Sequence, residues 1–234
     1  MPNDERRRGF SPRRQLRGLV PLIVLWCIGL AALAVTRMQT ATSLPSLFLD
    51  PAYFTGAPWY TGAMSNLAIL VWTTGAVFAA AGAWVARHVG RTSAYRFLAV
   101  GALATLVLVL DDVFALHAGP LRRALGDSKI AAQLLIVLPA ISWALSFRDD
   151  IRRTRSLYLI AAVAALGASL TVDVAIGLDG DDGLLVEDGL KLLGILAWSQ
   201  YFAITSRDIA RSAIRTAAKS RDPSVESGVR VAAP

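Results

Sequence analysis

The sequence predicts an all-α membrane protein: six transmembrane helices in a compact bundle, with both termini in the cytoplasm. Three observations predict this fold. Hydrophobic residues form 55% of the 234-residue chain, and the mean hydropathy is +0.51. Charged residues form only 18%, whereas soluble domains typically contain about 25%. The charges are grouped between apolar runs, and each run is close to the ~20 residues that a helix needs to cross a bilayer.

Six such apolar runs divide the chain. They cover residues 18–36, 63–86, 96–117, 130–147, 156–177 and 184–206. Each run must be helical, because hydrocarbon offers no water to hydrogen-bond an extended backbone. Residues 1–17 form a basic tail before the six-helix domain 18–206. Residues 207–234 form a second basic tail, predicted to be helical at first and then disordered from its polar composition.

The first run also allows a second interpretation. A basic start, an apolar run and the small residues Ala32 and Ala34 are typical of a cleaved signal peptide within residues 1–34. The run is longer than a usual signal core and contains Trp26, which favours a retained helix. Cleavage would leave five helices and place the N-terminus outside.

The distribution of positive charge predicts the orientation. Nineteen of the 24 Lys and Arg residues would lie on the side of the termini and four on the opposite side. Since cytoplasmic connections carry the excess of Lys and Arg, both termini are predicted to be cytoplasmic in a multi-pass plasma-membrane protein. Arg122 and Arg123 oppose this orientation, because they would lie on the outer side.

Ionisable residues interrupt the outer ends of three of these runs. They are Asp111, Asp112 and His117 in the third run, Asp173 in the fifth, and Glu187, Asp188 and Lys191 in the sixth. Five acids against one lysine leave surplus negative charge in a medium that disfavours it. The sequence therefore predicts a site for protons or a cation, formed by these seven residues.

Helical spacing predicts how these residues are arranged. Lys191 lies four residues after Glu187 and three after Asp188, so it is predicted to pair with one of them. Asp112 shares a small and polar helical face with Thr105, which predicts that Asp112 faces the bundle interior. Asp111 is then expected to pair with a neighbouring helix or with outer water.

Three uncharged polar residues are predicted to support the site from the same or adjacent helices. They are Asn66, Thr105 and Ser169. A divalent metal ion is one candidate occupant, because carboxylates with one imidazole suit hard or borderline cations. Its predicted ligands are Asp112, His117, Asp173 and Glu187. The chain has two histidines and one cysteine, which excludes a three-histidine site or a cysteine cluster.

Three functions are left open. The first is a proton- or cation-binding membrane protein, such as a small transporter, a channel or a sensor. The second is a metal-dependent intramembrane hydrolase with a lipid-like substrate, and whether the chain is an enzyme is undecided. The third is a structural or interaction subunit whose buried charges form ion pairs, with a partner subunit.

The basic tails and connections predict membrane lipids as partners. Arg207, Arg211, Arg215 and Lys219 recur every four residues and form a stripe suited to anionic headgroups. The net charge of +7 does not indicate nucleic-acid binding, since the chain lacks a compact basic domain with interleaved aromatic residues.

Overall fold

The computed structural model describes residues 55–58, 60–173 and 181–219, together with single positions between residues 24 and 38. Those positions, in the unit Met1–Gly62, are helical and exposed: Val24, Trp26, Cys27, Leu30, Ala31, Ala34, Val35 and Met38. The basic N-terminal tail, most of the first apolar run and residues beyond 219 lie outside the described residues. The signal-peptide alternative and the disordered tail are therefore still predictions.

The second unit, Ala63–Pro234, contains the helices that carry the candidate site. They are α1 Ala63–His88, α2 Thr92–Phe114, α3 Pro120–Ala124, α4 Lys129–Ser146, α5 Arg148–Arg152, α6 Leu157–Thr171 and α7 Asp181–Lys219. The described part of the chain contains no strand. The all-α prediction is confirmed.

Within the described residues, three helices are long and apolar enough to cross a membrane. These are α1, α2 and α4, and α6 is a shorter apolar helix. Their length and apolar composition support the prediction of a helical membrane protein. The count of six spans and the cytoplasmic termini are still predictions.

Two predicted runs end differently in the structure. The third run was predicted to end at residue 117, but α2 ends at Phe114 because Ala115 adopts a left-handed conformation with φ of 47°. The sixth run was predicted as 184–206 with a helical start to the tail that follows, and the two form one continuous helix, α7, from Asp181 to Lys219, so the helical start of the tail is confirmed. At 1.5 Å per residue its 39 residues span about 58 Å, well beyond the ~30 Å hydrocarbon core.

Small residues bring α1 and α7 into close contact. A β-carbon at Gly75 would lie 2.8 Å from Ser199 Oγ, and one at Gly82 would collide with Ser206 Oγ. Both serines donate hydrogen bonds to carbonyl oxygens of α1, at 2.8 and 2.7 Å. Small residues and interhelical hydrogen bonds of this kind hold membrane helices together. Around this pair, α2 packs on α1, α4 on α2, and α6 on α7.

Aromatic side chains fill the bundle between its two ends. We call this set the aromatic layer; it consists of Trp72, Phe97, Trp143, Trp198, Tyr201 and Phe202, none more than 4% exposed. The Trp143 ring stacks on Phe97 with centroids 5.5 Å apart, and its Nε1–H donates to Phe97 O at 2.9 Å. Trp198 donates to Thr105 Oγ1 at 3.0 Å. The layer therefore joins α1, α2, α4 and α7 in a closely packed centre.

Candidate charge network at one end of the bundle

Ion pairs and hydrogen bonds between charged or polar side chains lie at the two ends of the bundle, on either side of the aromatic layer. At one end, which we call the network end, Lys191 pairs with Asp112 and Lys129 pairs with Asp173. At the other, the basic end, contacts join the α1–α2 connection, the segment between α4 and α6, and the second half of α7. These contacts are Ser93 with Asp150, Arg155 with Asp208, and Arg91 with Ser212.

His117 folds back onto Asp111 at the network end. Its backbone N–H donates to Asp111 Oδ1 at 2.8 Å, and its Nδ1 lies 2.7 Å from Asp111 Oδ2. The expectation that Asp111 pairs with a neighbouring helix or with water was wrong. The left-handed Ala115 reverses the chain directly after α2 and returns His117 to the buried carboxylate, which is 8% exposed.

This pair gives a pH-dependent prediction. His117 lies beyond the end of α2, and its hydrogen bond to Asp111 raises the pKa of the imidazole above 6.5, although burial lowers it. The stabilisation from the protonated pair is therefore full below pH 6.5 and is lost as the pH rises through the folded-state pKa. Nuclear magnetic resonance titration of a His88→Gln variant, in which His117 is the remaining histidine, measures this pKa.

The control for the titration removes the charge of the partner. Asp111→Asn in the same His88→Gln background is expected to lower the His117 pKa, since the amide oxygen carries no formal charge. A His117 titration midpoint at or below 6.5, or one that Asp111→Asn leaves unchanged, would contradict the pairing.

Lys191 reaches across to α2. Its Nζ donates to Asp112 Oδ1, so the prediction that Lys191 pairs with Glu187 or Asp188 on its own helix was wrong. The Asp112 side chain is 13% exposed, whereas Asp188 is exposed to solvent. The ammonium group thus pairs with a carboxylate that is largely shielded from water, where an unpaired charge would be costly.

Asp173 accepts hydrogen bonds from two side chains of α4. Lys129 Nζ donates to its Oδ1 at 2.5 Å and Gln133 Nε2 to its Oδ2 at 2.7 Å. Lys129 was absent from the predicted site, because it was assigned to the outer connection. The four-residue spacing of Lys129 and Gln133 is the signal that places both on one face of α4. Gln133 Oε1 is buried and has no hydrogen-bond partner among the described residues.

Glu187 lies among these pairs without an ion pair of its own within the described residues. It is half-buried, and its electrostatic interactions are with Asp173, Asp188, Lys129 and Lys191. His117 likewise interacts electrostatically with Lys191 and Asp112. The predicted acids thus form one electrostatic neighbourhood, which we call the charge network. Asp111, Asp112 and Asp173 each have a base in it, whereas Glu187 and the exposed Asp188 have none among the described residues.

Comparison with known proteins identifies the family. A family model described as Domain of unknown function (DUF8692) matches residues 22–205. The chain belongs to the DUF8692 family. The DUF8692 match covers α1 to α6 and the first half of α7, so the whole charge network lies inside it. The comparisons with curated proteins and with solved structures give no match.

The three supporting residues of the DUF8692 domain have different surroundings. Thr105 is fully buried in the aromatic layer, where it accepts from Trp198 and donates to Gly101 O at 2.8 Å. Its polar atom is therefore used in helix packing. Ser169 is buried on α6, and Asn66 is exposed in the first turn of α1.

The predicted metal ligands are divided among separate pairs. Asp112 is bound to Lys191, His117 to Asp111, and Asp173 to Lys129. Among the residues that the structure describes, no three His, Cys, Asp or Glu side chains are grouped closely enough to hold a metal ion. In the described part of the DUF8692 domain, the set Asp112, His117, Asp173 and Glu187 therefore does not converge as a metal centre.

Proposed function

We propose that this DUF8692 protein is a multi-pass plasma-membrane protein that binds protons in its charge network and acts as a pH sensor. The observation that carries the proposal is the position of Glu187, a half-buried carboxylate beside Asp173 and Asp188 without an ion pair among the described residues. Carboxylates held close together repel one another, and uptake of a proton relieves that repulsion.

The existing ion pairs favour a proton over a metal ion as the ligand. A divalent cation at Asp112 or Asp173 would have to displace the ammonium group of Lys191 or Lys129. A proton on Glu187 displaces no group. Divalent cations are alternative ligands that the experiment below distinguishes.

The aromatic layer favours a sensor over a transporter or channel. Its side chains are packed against one another, with Trp143 and Phe202 centroids 5.4 Å apart and Trp143 and Trp198 centroids 5.6 Å apart. A conduction route would have to cross this layer. Protonation at the network end would instead change the ion pairs that join α7 to α2 and α4 to the segment directly after α6, and thus the packing of these helices.

The opposite charges of the two ends support the proposed orientation. Arginine dominates the basic end, and cytoplasmic connections are rich in Lys and Arg. We therefore place the basic end in the cytoplasm and the charge network on the outer side. In this topology residues 18–36, α6 and the first half of α7 supply the other three of six spans.

Infrared difference spectroscopy tests proton binding by Glu187. On acidification, the wild-type protein in nanodiscs should gain a carboxylic-acid carbonyl band, because a half-buried carboxyl group takes up the proton. Glu187→Gln keeps the shape of the side chain and removes its titratable group, so this band should disappear. Asp188→Asn, at the exposed neighbouring position, is the matched control and should retain the band.

Two further measurements separate the alternatives. Proton flux into liposomes should equal that of empty liposomes; a flux that Glu187→Gln abolishes would identify a transporter instead. Stabilisation of the purified protein by Mg²⁺, Ca²⁺, Mn²⁺ or Zn²⁺, lost in Asp112→Asn, would identify a metal site. A carbonyl band unchanged in Glu187→Gln would remove Glu187 from the proposal.

A structural or interaction subunit is the second candidate, because the pairs Lys191–Asp112 and Lys129–Asp173 also fix how separate elements pack. In that case acidification produces no Glu187 band, and a defined partner co-purifies with the wild type but not with Lys191→Met. The intramembrane hydrolase has no comparable support, since its predicted ligands are held in separate pairs.

A further inference from the structure

The basic end carries far more positive charge than its own contacts neutralise. Residues 87–96, 148–155 and 207–215 together contain ten arginines and three aspartates. The contacts of Arg91 with Ser212 and of Arg155 with Asp208 hold the three segments at one end of the bundle. Surplus positive charge of this kind attracts anionic ligands.

A recess of about 300 Å³ lies at this end, between the last turn of α1 and the first turn of α2. It is lined by Arg87, Thr92 and Tyr95. The Arg87 guanidinium carbon lies 5.5 Å from the centre of the Tyr95 ring, a cation–π contact that helps to position the group. Arg87 forms no ion pair with an acid among the described residues, so its N–H groups are available to a ligand.

The position of the recess relative to the membrane indicates which kind of ligand it would bind. Because α1 and α2 are each long enough to cross a membrane, the connection between them lies at the level of the lipid headgroups. Trp84, one turn before the end of α1, is 63% exposed, as expected of a residue at the membrane interface. A molecule in the recess would therefore have its polar part near Arg87 and its apolar part beside Trp84.

We propose that this recess binds the phosphodiester group of an anionic phospholipid. The planar guanidinium of Arg87 would donate two parallel hydrogen bonds to phosphate oxygens, and the Thr92 and Tyr95 hydroxyl groups would donate to the same group. The surplus arginines around the recess favour a lipid with net negative charge over a zwitterionic one. This site lies at the opposite end from the charge network and does not depend on the proposed pH sensing.

Native mass spectrometry of the detergent-solubilised protein tests the site. Phosphatidylglycerol is expected to bind at least about tenfold more tightly than phosphatidylcholine with the same acyl chains, because hydrogen bonds between charged groups are strong. Arg87→Gln should weaken phosphatidylglycerol binding about tenfold, the effect of losing one such contact. Arg152→Gln removes the same charge at the same end but outside the recess, and should change the Kd less than about twofold.

Several results would overturn the proposal. An equal loss of affinity for phosphatidylglycerol in Arg87→Gln and Arg152→Gln would indicate attraction to the basic surface as a whole. Equal affinities for phosphatidylglycerol and phosphatidylcholine would exclude anion selectivity. Binding of inorganic phosphate without phosphatidylglycerol would identify a soluble ligand. If Arg87→Gln does not fold, Thr92→Val provides the test, since it keeps every charge; an unchanged Kd in that variant would contradict the site.

Discussion

Replacing Trp143 with alanine is expected to lower the free energy of unfolding by about 4 kcal/mol, as for other large aromatic side chains removed from a core. Trp143 is 1% exposed and contacts the rings of Phe97, Trp198 and Phe202. The substitution leaves a cavity and removes the side-chain hydrogen bond to Phe97 O. Thermal unfolding in detergent, followed by circular dichroism, should show a Tm lower by about 8–16 °C.

Trp84 provides the matched control for this substitution. Its side chain is 63% exposed, so Trp84→Ala removes the same atoms from a surface position. The Tm of this variant should fall by less than about 4 °C, corresponding to at most ~1 kcal/mol. A similar decrease in Tm in Trp143→Ala and Trp84→Ala would show that the aromatic layer does not stabilise the bundle as described.

Lys191→Met is expected to lower the free energy of unfolding by about 2 kcal/mol, less than the 3–5 kcal/mol of a fully buried pair. The substitution leaves the Asp112 carboxylate, 13% exposed, without its ammonium partner, while the partial exposure of Lys191 weakens the pair. Thermal unfolding of the purified protein in detergent measures the effect.

A double-mutant cycle isolates this pair from the rest of the network. Asp112→Asn added to Lys191→Met should recover about 1–2 kcal/mol, because no charge is then left unpaired. Arg211→Met, at an exposed position of the same helix, should change stability by less than about 0.5 kcal/mol. Additive losses in the double variant would mean that Lys191 and Asp112 do not interact.

The sequence predicted the helices and the neighbourhood of the acids because both depend on local pattern. Apolar runs of bilayer length predicted α1, α2 and α4. The predicted alternation of helix direction across the membrane put the ionisable residues at one predicted membrane depth. The pairing within that neighbourhood was missed. Spacing along one helix showed that Lys191 can reach Glu187, but the proximity of Asp112 depends on how α2 and α7 pack.

Two further features had no clear local signal. Ala115 adopts a left-handed conformation that usually favours glycine, so the end of α2 and the return of His117 could not be predicted from residue type. Lys129 follows the polar stretch Asp127 to Ser128 and resembled a residue of the connection. Its pairing with Asp173 requires α4 to begin at Lys129, with Ser128 accepting a hydrogen bond from Ala131 N–H.

The uninterrupted course of α7 has a mechanical consequence. Lys191 and Ser212 belong to the same stiff rod, about 31 Å apart along its axis at 1.5 Å per residue. Breaking the contact of Lys191 with Asp112 would release α7 from α2 at the network end, while Arg91 still contacts Ser212 at the basic end. Because the helix is continuous, a tilt or axial shift that begins at one end of the bundle would also move the other end.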